Sequence, residues 1–314
     1  MWGYALHRCG LAVVIVALVM LALFALLHLM PGDPASIALG PRATPEIRAR
    51  YAEKMHLDEP VLVQFGIFAG QILRGDLGED LFSGRPVSAI VMADLGRTLT
   101  LAVAGLAWSA ALGIVLGCLS AVRPNSWFDR ITGVVAVGTI AIPSFLVSIW
   151  SLLIFAIWLG WLPVIGAGEP GNLLDRACHL ILPAFAVGLG WVGYLARLVR
   201  ASMLEVLGEN YIRAARAGGL TERKVVYDYA LRMAILPTVT LIGIGFGGLL
   251  SGAVFAEIIF ARPGLGKLVY DMVEIRNFPV VQGAVLVITG AYVAIALLAD
   301  LVVAWLDPRV RQAL

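Results

Sequence analysis

The sequence predicts an all-α polytopic membrane protein with six transmembrane helices. Three observations predict it. The chain of 314 residues is 60% hydrophobic and 14% charged, against about 25% charged residues in an ordinary soluble domain. Six long apolar runs are free of Asp, Glu, Lys and Arg, apart from one interruption at Asp300. Lys and Arg also fall unequally on the segments between those runs. The net charge of +2 is too small to argue for nucleic acid. Cys9, Cys118 and Cys178 are scattered and fit no metal-ligand spacing, so they read as small apolar residues in or beside membrane helices.

The first run, Cys9–Met30, would extend about 33 Å as a helix, enough to cross the hydrocarbon core. It is longer than the roughly 7–15 residues of a secretory apolar region, and no small-x-small site ends it. It reads as a retained span. The other runs are Thr98–Val122, Ile131–Leu162, Leu180–Ala196, Met233–Ala256 and Phe278–Leu306. The third exceeds what a perpendicular helix needs, so it is expected to tilt or to break near Pro143.

Orientation follows from the basic residues. With the amino terminus in the cytoplasm, the short inner segments carry Arg8, Arg123, Arg130, Arg197, Arg200, Arg213, Arg216, Arg223, Lys224, Arg232, Arg309 and Arg311. The short outer loops carry only Arg176, Arg262, Lys267 and Arg276. Both termini are therefore expected inside. The long segment Pro31–Arg97 falls outside, and its seven basic residues count little because long loops cross largely regardless of charge. This outer segment reads as helical. Thr44-Pro45-Glu46 has the form of a helix start. Leu62, Phe65, Phe68, Ala69 and Ile72 make a helical stripe within Pro60–Leu73, suited to the membrane surface or to the protein's own outer face. Gly75-Asp76-Leu77-Gly78 reads as a turn.

Glu205–Pro237 is a charge-dense stretch between two apolar runs, with nine Asp, Glu, Lys and Arg among its 33 residues. At about 100° per residue, Leu204, Leu207, Tyr211, Ala215 and Gly218 share one face. Glu205, Glu209, Arg213 and Arg216 share another. One of Gly218 and Gly219 is expected in the left-handed conformation that stops this helix. Thr221 then stands where it can cap a second helix, and Pro237 should kink the following span. The segment is thus a short amphipathic helix, about Leu204–Gly218, held between two spans. One reading is a solvated or lipid-facing loop. An interfacial helix usually sets Lys and Arg against Trp or Phe, whereas this one has mixed charge and small residues, which suit the close approach of a protein partner.

At these residues the sequence resembles permease subunits of binding-protein-dependent ABC importers, with the type I transmembrane fold. Their cytoplasmic signature is E-A-A, three residues, Gly, and later Leu-Pro. Here Arg213-Ala214-Ala215 precedes Gly219, and Leu236-Pro237 comes later. Arg213 replaces the usual Glu, and the Gly-to-Pro distance is longer. Both features are similar to the dipeptide, oligopeptide and nickel branch, as are Tyr211, Ala215-Arg216-Ala217-Gly218-Gly219-Leu220 and Ala230-Leu231-Arg232. Pro31-Gly32-Asp33-Pro34, Trp161-Leu162-Pro163, Leu182-Pro183-Ala184, Pro263-Gly264-Leu265-Gly266, Pro279-Val280-Val281-Gln282-Gly283 and Leu306-Asp307-Pro308-Arg309 also resemble that branch's motifs, in order along the chain.

The resemblance implies an amino-terminal extra span over residues 1–30 and an extracytoplasmic, helical segment over 31–93. It implies a five-span transmembrane core over 94–306, with a coupling loop at about 204–236, and a cytoplasmic tail over 307–314. It implies residence in the cell inner membrane. The implied ATPase-coupling residues are Glu209, Tyr211, Arg213, Ala214, Ala215, Arg216, Ala217, Gly218, Gly219 and Leu220. The implied partners are a second homologous permease, two cytoplasmic ABC ATPase subunits and an extracytoplasmic substrate-binding protein. The chain has no G-x-x-x-x-G-K-[ST] sequence, so ATP and Mg would be bound by the partner subunits and no cofactor by this chain. Peptides, nickel chelates, glutathione and opine-like compounds are carried by similar permeases.

Four polar or proline positions within membrane depth are candidates for the pathway or its gate. Glu257 reads either as a gate residue or as an interfacial carboxylate bonded to the following Pro-Gly loop, near Arg262 or Arg276. Asp300 reads as pairing with a basic residue of a neighbouring helix. Pro143 and Ser144 read as a break exposing backbone to a passage, or as a packing kink. His28 and His179 flank spans and form no convincing metal site, so no metal is expected. A self-sufficient secondary transporter or channel is the alternative class. It would call for charges buried in the spans or paired broken helices, and the runs are nearly charge-free. An intramembrane enzyme lacks any G-x-S-x-G or H-E-x-x-H sequence.

Overall fold

A computed structural model describes residues 2–29, 44–46, 52–53 and 58–306. Within these the chain is built of helices joined by turns, with one isolated bridge between Glu79 and Pro86. The motif Pro31–Pro34, most of 31–57 and the tail 307–314 lie outside the described residues, while Pro45 and Glu46 are helical.

The helices are α1 (Trp2–Leu29), α2 (Val61–Leu73), α3 (Val87–Val122), α4 (Trp127–Ala141), α5 (Ser144–Ser151), α6 (Leu173–Leu207), α7 (Asn210–Ala217), α8 (Glu222–Lys224), α9 (Leu231–Ala234), α10 (Leu236–Ile259), α11 (Leu265–Glu274) and α12 (Phe278–Leu306). Wider π turns extend α5 over Leu152–Trp158 and join α8 to α9 over Val225–Ala230. Among the described residues four helices are long and apolar enough to cross a membrane, or up to six spans if each of two bent pairs counts as one.

Several helices outrun the charge-free runs. α3 begins at Val87 instead of Thr98, and α6 runs from Leu173 to Leu207 instead of Leu180 to Ala196. Charge-free windows mark only the length that must avoid hydration, and a helix continues into the headgroups where its charges are solvated. The third expected span is not one helix. α4 and the α5 arm meet at 100°. Pro143 lacks an N–H, and its ring pushes Ile142 into the extended region at φ −86 and ψ 120. A milder break of 42° separates Glu222–Ala234 from Leu236–Gly243 at the Pro237 site.

The chain divides into two compact units. One comprises 1–5, 98–262 and 294–314, the other 6–97 and 263–293. In the first, α6 is the central element, and glycines set how near its neighbours come. A Cβ on Gly113 would lie 2.7 Å from Leu195 Cβ, and one on Gly117 would lie 2.5 Å from the Ala196 carbonyl oxygen. This pair, spaced four residues apart on α3, lets the α3 and α6 backbones touch, as small-residue seams do in membranes. From the other side, Gly193 of α6 admits α4, where a Cβ would collide with the Ala136 carbonyl oxygen. Trp108 Nε1 donates to the Ala184 carbonyl at 2.8 Å, stitching α3 to α6. Leu101, Leu182, Val187, Leu249, Ala253 and Phe260 fill the adjoining core.

In the second unit, Val87, Val91, Leu265, Val280 and Ala284 form the core. Asp80 holds the turn leading into α3. Its carboxylate accepts from the Phe82 and Ser83 amides, the Ser83 hydroxyl and Asn277 Nδ2. Burial raises the Asp80 pKa, but these hydrogen bonds together outweigh it and hold the carboxyl below its ordinary value.

The α3–α6 seam yields a direct test. Gly117→Ala puts a Cβ against an immobile backbone carbonyl. Overpacking of this kind costs about 1–3 kcal/mol. Gly133→Ala, where no heavy atom lies within 4 Å of the added carbon, serves as the control. Thermal unfolding in detergent should show a lowered midpoint for Gly117→Ala and little change for Gly133→Ala.

Candidate functional site

The stretch Glu205–Pro237 folds as a compact hairpin at one end of the first unit. α6 ends at Leu207, with Gly208 as its C-cap. Glu209 is extended, at φ −70 and ψ 151, and starts a separate helix α7. The expected single helix Leu204–Gly218 is thus broken at Gly208-Glu209: Gly208, a poor helix former, is the last residue in the helical region, and the chain turns extended at Glu209. Gly218 caps α7 at φ −76, and Gly219 is the residue in the left-handed region, at φ 80. Thr221 is extended and precedes α8, but its side chain makes no capping hydrogen bond.

The break lets α7 set its own inward side. Ile212 is fully buried, and Ala215 and Leu220 pack beside it. They meet Cys118 and Ala121 at the end of α3, Val199 and Met203 of α6, and Val225, Val226 and Ala230 of the π turn. The π geometry widens the helix just where these three small or branched side chains pack around Ile212. Opposite Ile212, α7 exposes Tyr211, Ala214, Ala217 and Gly218. Its charged residues are partly used within the chain. Arg216 makes a forked pair with Glu222, at 3.1 and 2.7 Å, that closes the α7–α8 turn. Arg213 Nη2 donates to the Gly208 carbonyl at 3.1 Å, satisfying a group left open by the end of α6. Glu209 contributes its carbonyl to the Arg213 amide at 3.2 Å. Beside α7, Thr221, Arg223, Lys224, Tyr227 and Asp228 line an open concavity of about 490 Å³.

The same end carries an ion pair that the sequence did not single out, between a buried carboxylate and a half-buried guanidinium. Arg200 of α6 reaches Asp129 at the start of α4 with Nε and Nη2, at 2.5 and 2.7 Å. Asp129 also accepts from the Asn125 amide at 2.8 Å, which fixes the α3–α4 turn. A forked, charge-assisted pair of this kind sets orientation as well as distance. Arg123 and Arg130 flank that turn, and Arg130 adds a favourable charge near Asp129.

The other candidates are placed apart from α7. Glu257 is fully buried near the end of α10, and its Oε1 accepts from the Thr98 hydroxyl at 2.6 Å. Its carbonyl accepts from the Arg262 amide at 2.8 Å, which starts the following loop. Ser144 is half-buried and lies against α10, where a Cβ on Gly252 would come 3.3 Å from its Oγ, while Pro143 is exposed at the 100° corner. That corner stands beside Gly252, far along α10 from the break at Ile235, so the two helix breaks do not face each other as paired half-helices would. Asp300 is half-buried in α12. Among the described residues no three His, Cys, Asp or Glu side chains are grouped to hold a metal ion.

With this geometry in view, the comparisons are decisive. The family described as binding-protein-dependent transport system inner membrane component matches residues 113–312. The description of the amino-terminal part of such membrane components matches residues 1–102. The chain belongs to this family. It is therefore a multi-pass inner-membrane permease component of a transport system that works with a separate binding protein. The glutathione transport system permease protein GsiC of Pectobacterium atrosepticum is 38% identical over 311 residues, covering 99% of both chains. The dipeptide transport system permease protein DppB of Alkalihalophilus pseudofirmus is 33% identical over 332 residues, covering 99% of this chain and all of its own. An inward-facing structure of the MetNI methionine ABC transporter shares the fold, with a TM-score of 0.56 at 19% identity over 69% of this chain and 95% of that one. A self-sufficient transporter or channel is not favoured by these relatives.

Ile212 is the residue on which the permease's α7 hangs. Ile212→Ala should cost about 2–5 kcal/mol of local packing. Limited proteolysis from the α7 side should cut Gly208–Leu220 several-fold faster in this variant, while Ala217→Ser, on the exposed side, should leave the rate unchanged.

Proposed function

We propose that this permease couples a membrane passage to cytoplasmic ATPase subunits through α7. The observation that carries this reading is the exposed side of that helix. Tyr211, Ala214, Ala217 and Gly218 form a face of mostly small side chains, held from behind by buried Ile212. Small residues let a partner's backbone approach closely, and a rigid mount lets a push or pull on α7 reach α3 and α6 without being absorbed by the loop.

The chain forms one half of the passage, and a second related permease forms the other. Two ATPase subunits dock at the α7 end, which lies in the cytoplasm together with both termini. The gathering of Arg123, Arg130, Arg197, Arg200, Arg223 and Lys224 near this end supports that orientation. A substrate-binding protein delivers solute on the other side. The cargo is a short peptide of the glutathione or dipeptide class, a reading supported by what those two relatives are named for. ATP draws the ATPase subunits together, and the movement of α7 biases the permease pair between outward-open and inward-open states. That bias equals the difference in interaction free energy of the two states with the closed ATPase pair. In this scheme Arg216 and Arg213 shape α7, and the exposed small residues make the contact. Glu257, Asp300, Pro143 and Ser144 line or gate the passage in one of the two states.

Gly219 provides the test. Its φ of 80 is strained for any residue with a Cβ, and most for a branched one, yet no atom lies within 4 Å of an added Cβ. Gly219→Val should therefore act through the backbone alone. Membrane insertion should be retained, and ATP-driven uptake of radiolabelled dipeptide or glutathione by the reconstituted system should fall at least tenfold. Gly219→Asn, which tolerates the left-handed region, should retain most of the uptake. Normal uptake with Gly219→Val would sink the coupling role.

A further inference from the structure

We propose that α2 is an interfacial helix whose outer side is covered by the acyl chains of the leaflet at the carboxyl end of α1. Val61–Leu73 contains no Asp, Glu, Lys or Arg, and its polar side chains are Gln64 and Gln71. At about 1.5 Å per residue its thirteen residues extend only ~20 Å, too short to cross a ~30 Å core. A helix that is apolar on all sides is stable only where all sides are covered.

One side is covered by α1. Gln64 is buried there, with its Oε1 accepting from His28 Nε2 at 2.9 Å and its Nε2 donating to the Glu59 carbonyl at 2.8 Å. The Phe24 ring sits 5.3 Å from Phe65, edge-on, and 6.0 Å from Phe68. Of the two glutamines, Gln64 is thus turned inward and satisfied, while Gln71 is exposed in the last turn, three residues before Arg74. The other side is apolar and open. Leu62 is 85% exposed and Leu73 is 84% exposed, with Val61 and Val63 beside Leu62.

Two observations select lipid as the cover. First, α1 is itself a lipid-facing span, with only 11% of its most apolar window buried and with Leu18, Leu21, Leu26 and Leu29 exposed. The open side of α2 is of the same kind, with Leu62 and Leu73 exposed as Leu26 and Leu29 are in the last turns of α1. Second, charges bracket α2 at both ends, with Asp58 and Glu59 before it and Arg74 and Asp76 after it. Charged groups at both ends hold both ends at headgroup level, so the axis lies along the interface instead of dipping into the core. An ordinary interfacial helix turns a charged face to water. Here α1 takes the place of water.

The test uses the full chain assembled with its partner subunits in phosphatidylethanolamine–phosphatidylglycerol vesicles. Nitroxide labels at Leu62→Cys and Leu73→Cys, in a background lacking Cys9, Cys118 and Cys178, are read for collision with oxygen and with a water-soluble nickel chelate. Both labels should favour oxygen several-fold, at a depth of about 5–10 Å below the headgroups. A label at Arg74→Cys should favour the chelate. Chelate preference at Leu62 and Leu73, or protection from both reagents by a protein partner, would overturn the proposal. The unmodified chain gives a second reading. A phospholipid with a diazirine on its acyl chain should label Val61–Leu73 as well as α1. Labelling of α1 with none on Val61–Leu73 would contradict it.

Discussion

The permease's first unit depends on how closely α6 is approached by its neighbours. Gly113 and Gly117 on α3, and Gly193 on α6 itself, bring backbone against backbone at distances that no side chain allows. In lipid the hydrophobic effect does not drive helices together, so dispersion at such seams and hydrogen bonds such as Trp108 to Ala184 must do so. The seams make α6 a rod wedged between α3 and α4. Asp129 and Arg200 then fix its register at the end where α7 begins. Such a pair is a poor source of net stability but a good source of geometry, since another register would leave the buried Asp129 carboxylate without its guanidinium.

The rod in turn places α7. The helix has eight residues, too few to be stable alone. It exists because Ile212 fills the gap between the ends of α3 and α6 and the π turn, and because Arg216–Glu222 and Arg213–Gly208 close its two ends. A short helix anchored by one buried side chain, with small residues outward, transmits displacement in both directions. In the proposed coupling, a displacement of α7 by an ATPase partner is passed through Ile212 to the ends of α3 and α6 against which it packs. The wide turns of Val225–Ala230 and the bend before Leu236 lie on the return path, where α10 leads to Glu257 and Thr98.

Much of this was legible in the sequence, and the failures have physical causes. Charge-free runs located the membrane crossings because charge is what the hydrocarbon excludes, but they could not show that α3 starts at Val87. Pro143 announced a break but not its size. The resulting 100° corner reflects packing of the α5 arm on α6 and α10, which no local rule contains. The glycine stop after α7 was readable, and the structure assigns the left-handed residue to Gly219. The helical wheel was carried through Gly208 without a break, and Ile212, the buried residue of α7, was not singled out. The Gly113–Gly117 spacing was a usable signal for the α3–α6 seam. The Asp129–Arg200 and Thr98–Glu257 partnerships were not readable, since each joins residues far apart in the chain.

The central claim is that the exposed side of α7 is the surface through which the ATPase subunits act. It is tested most directly by placing a photoreactive amino acid at Ala214, opposite Ile212, in the assembled transporter. Irradiation should cross-link this chain to an ATPase subunit, in a yield that changes when ATP is added, and the same residue placed at Ile275, outside the α7 hairpin, should give no such product. Cross-links to lipid alone, or none to an ATPase subunit in a complex that still transports, would contradict the account.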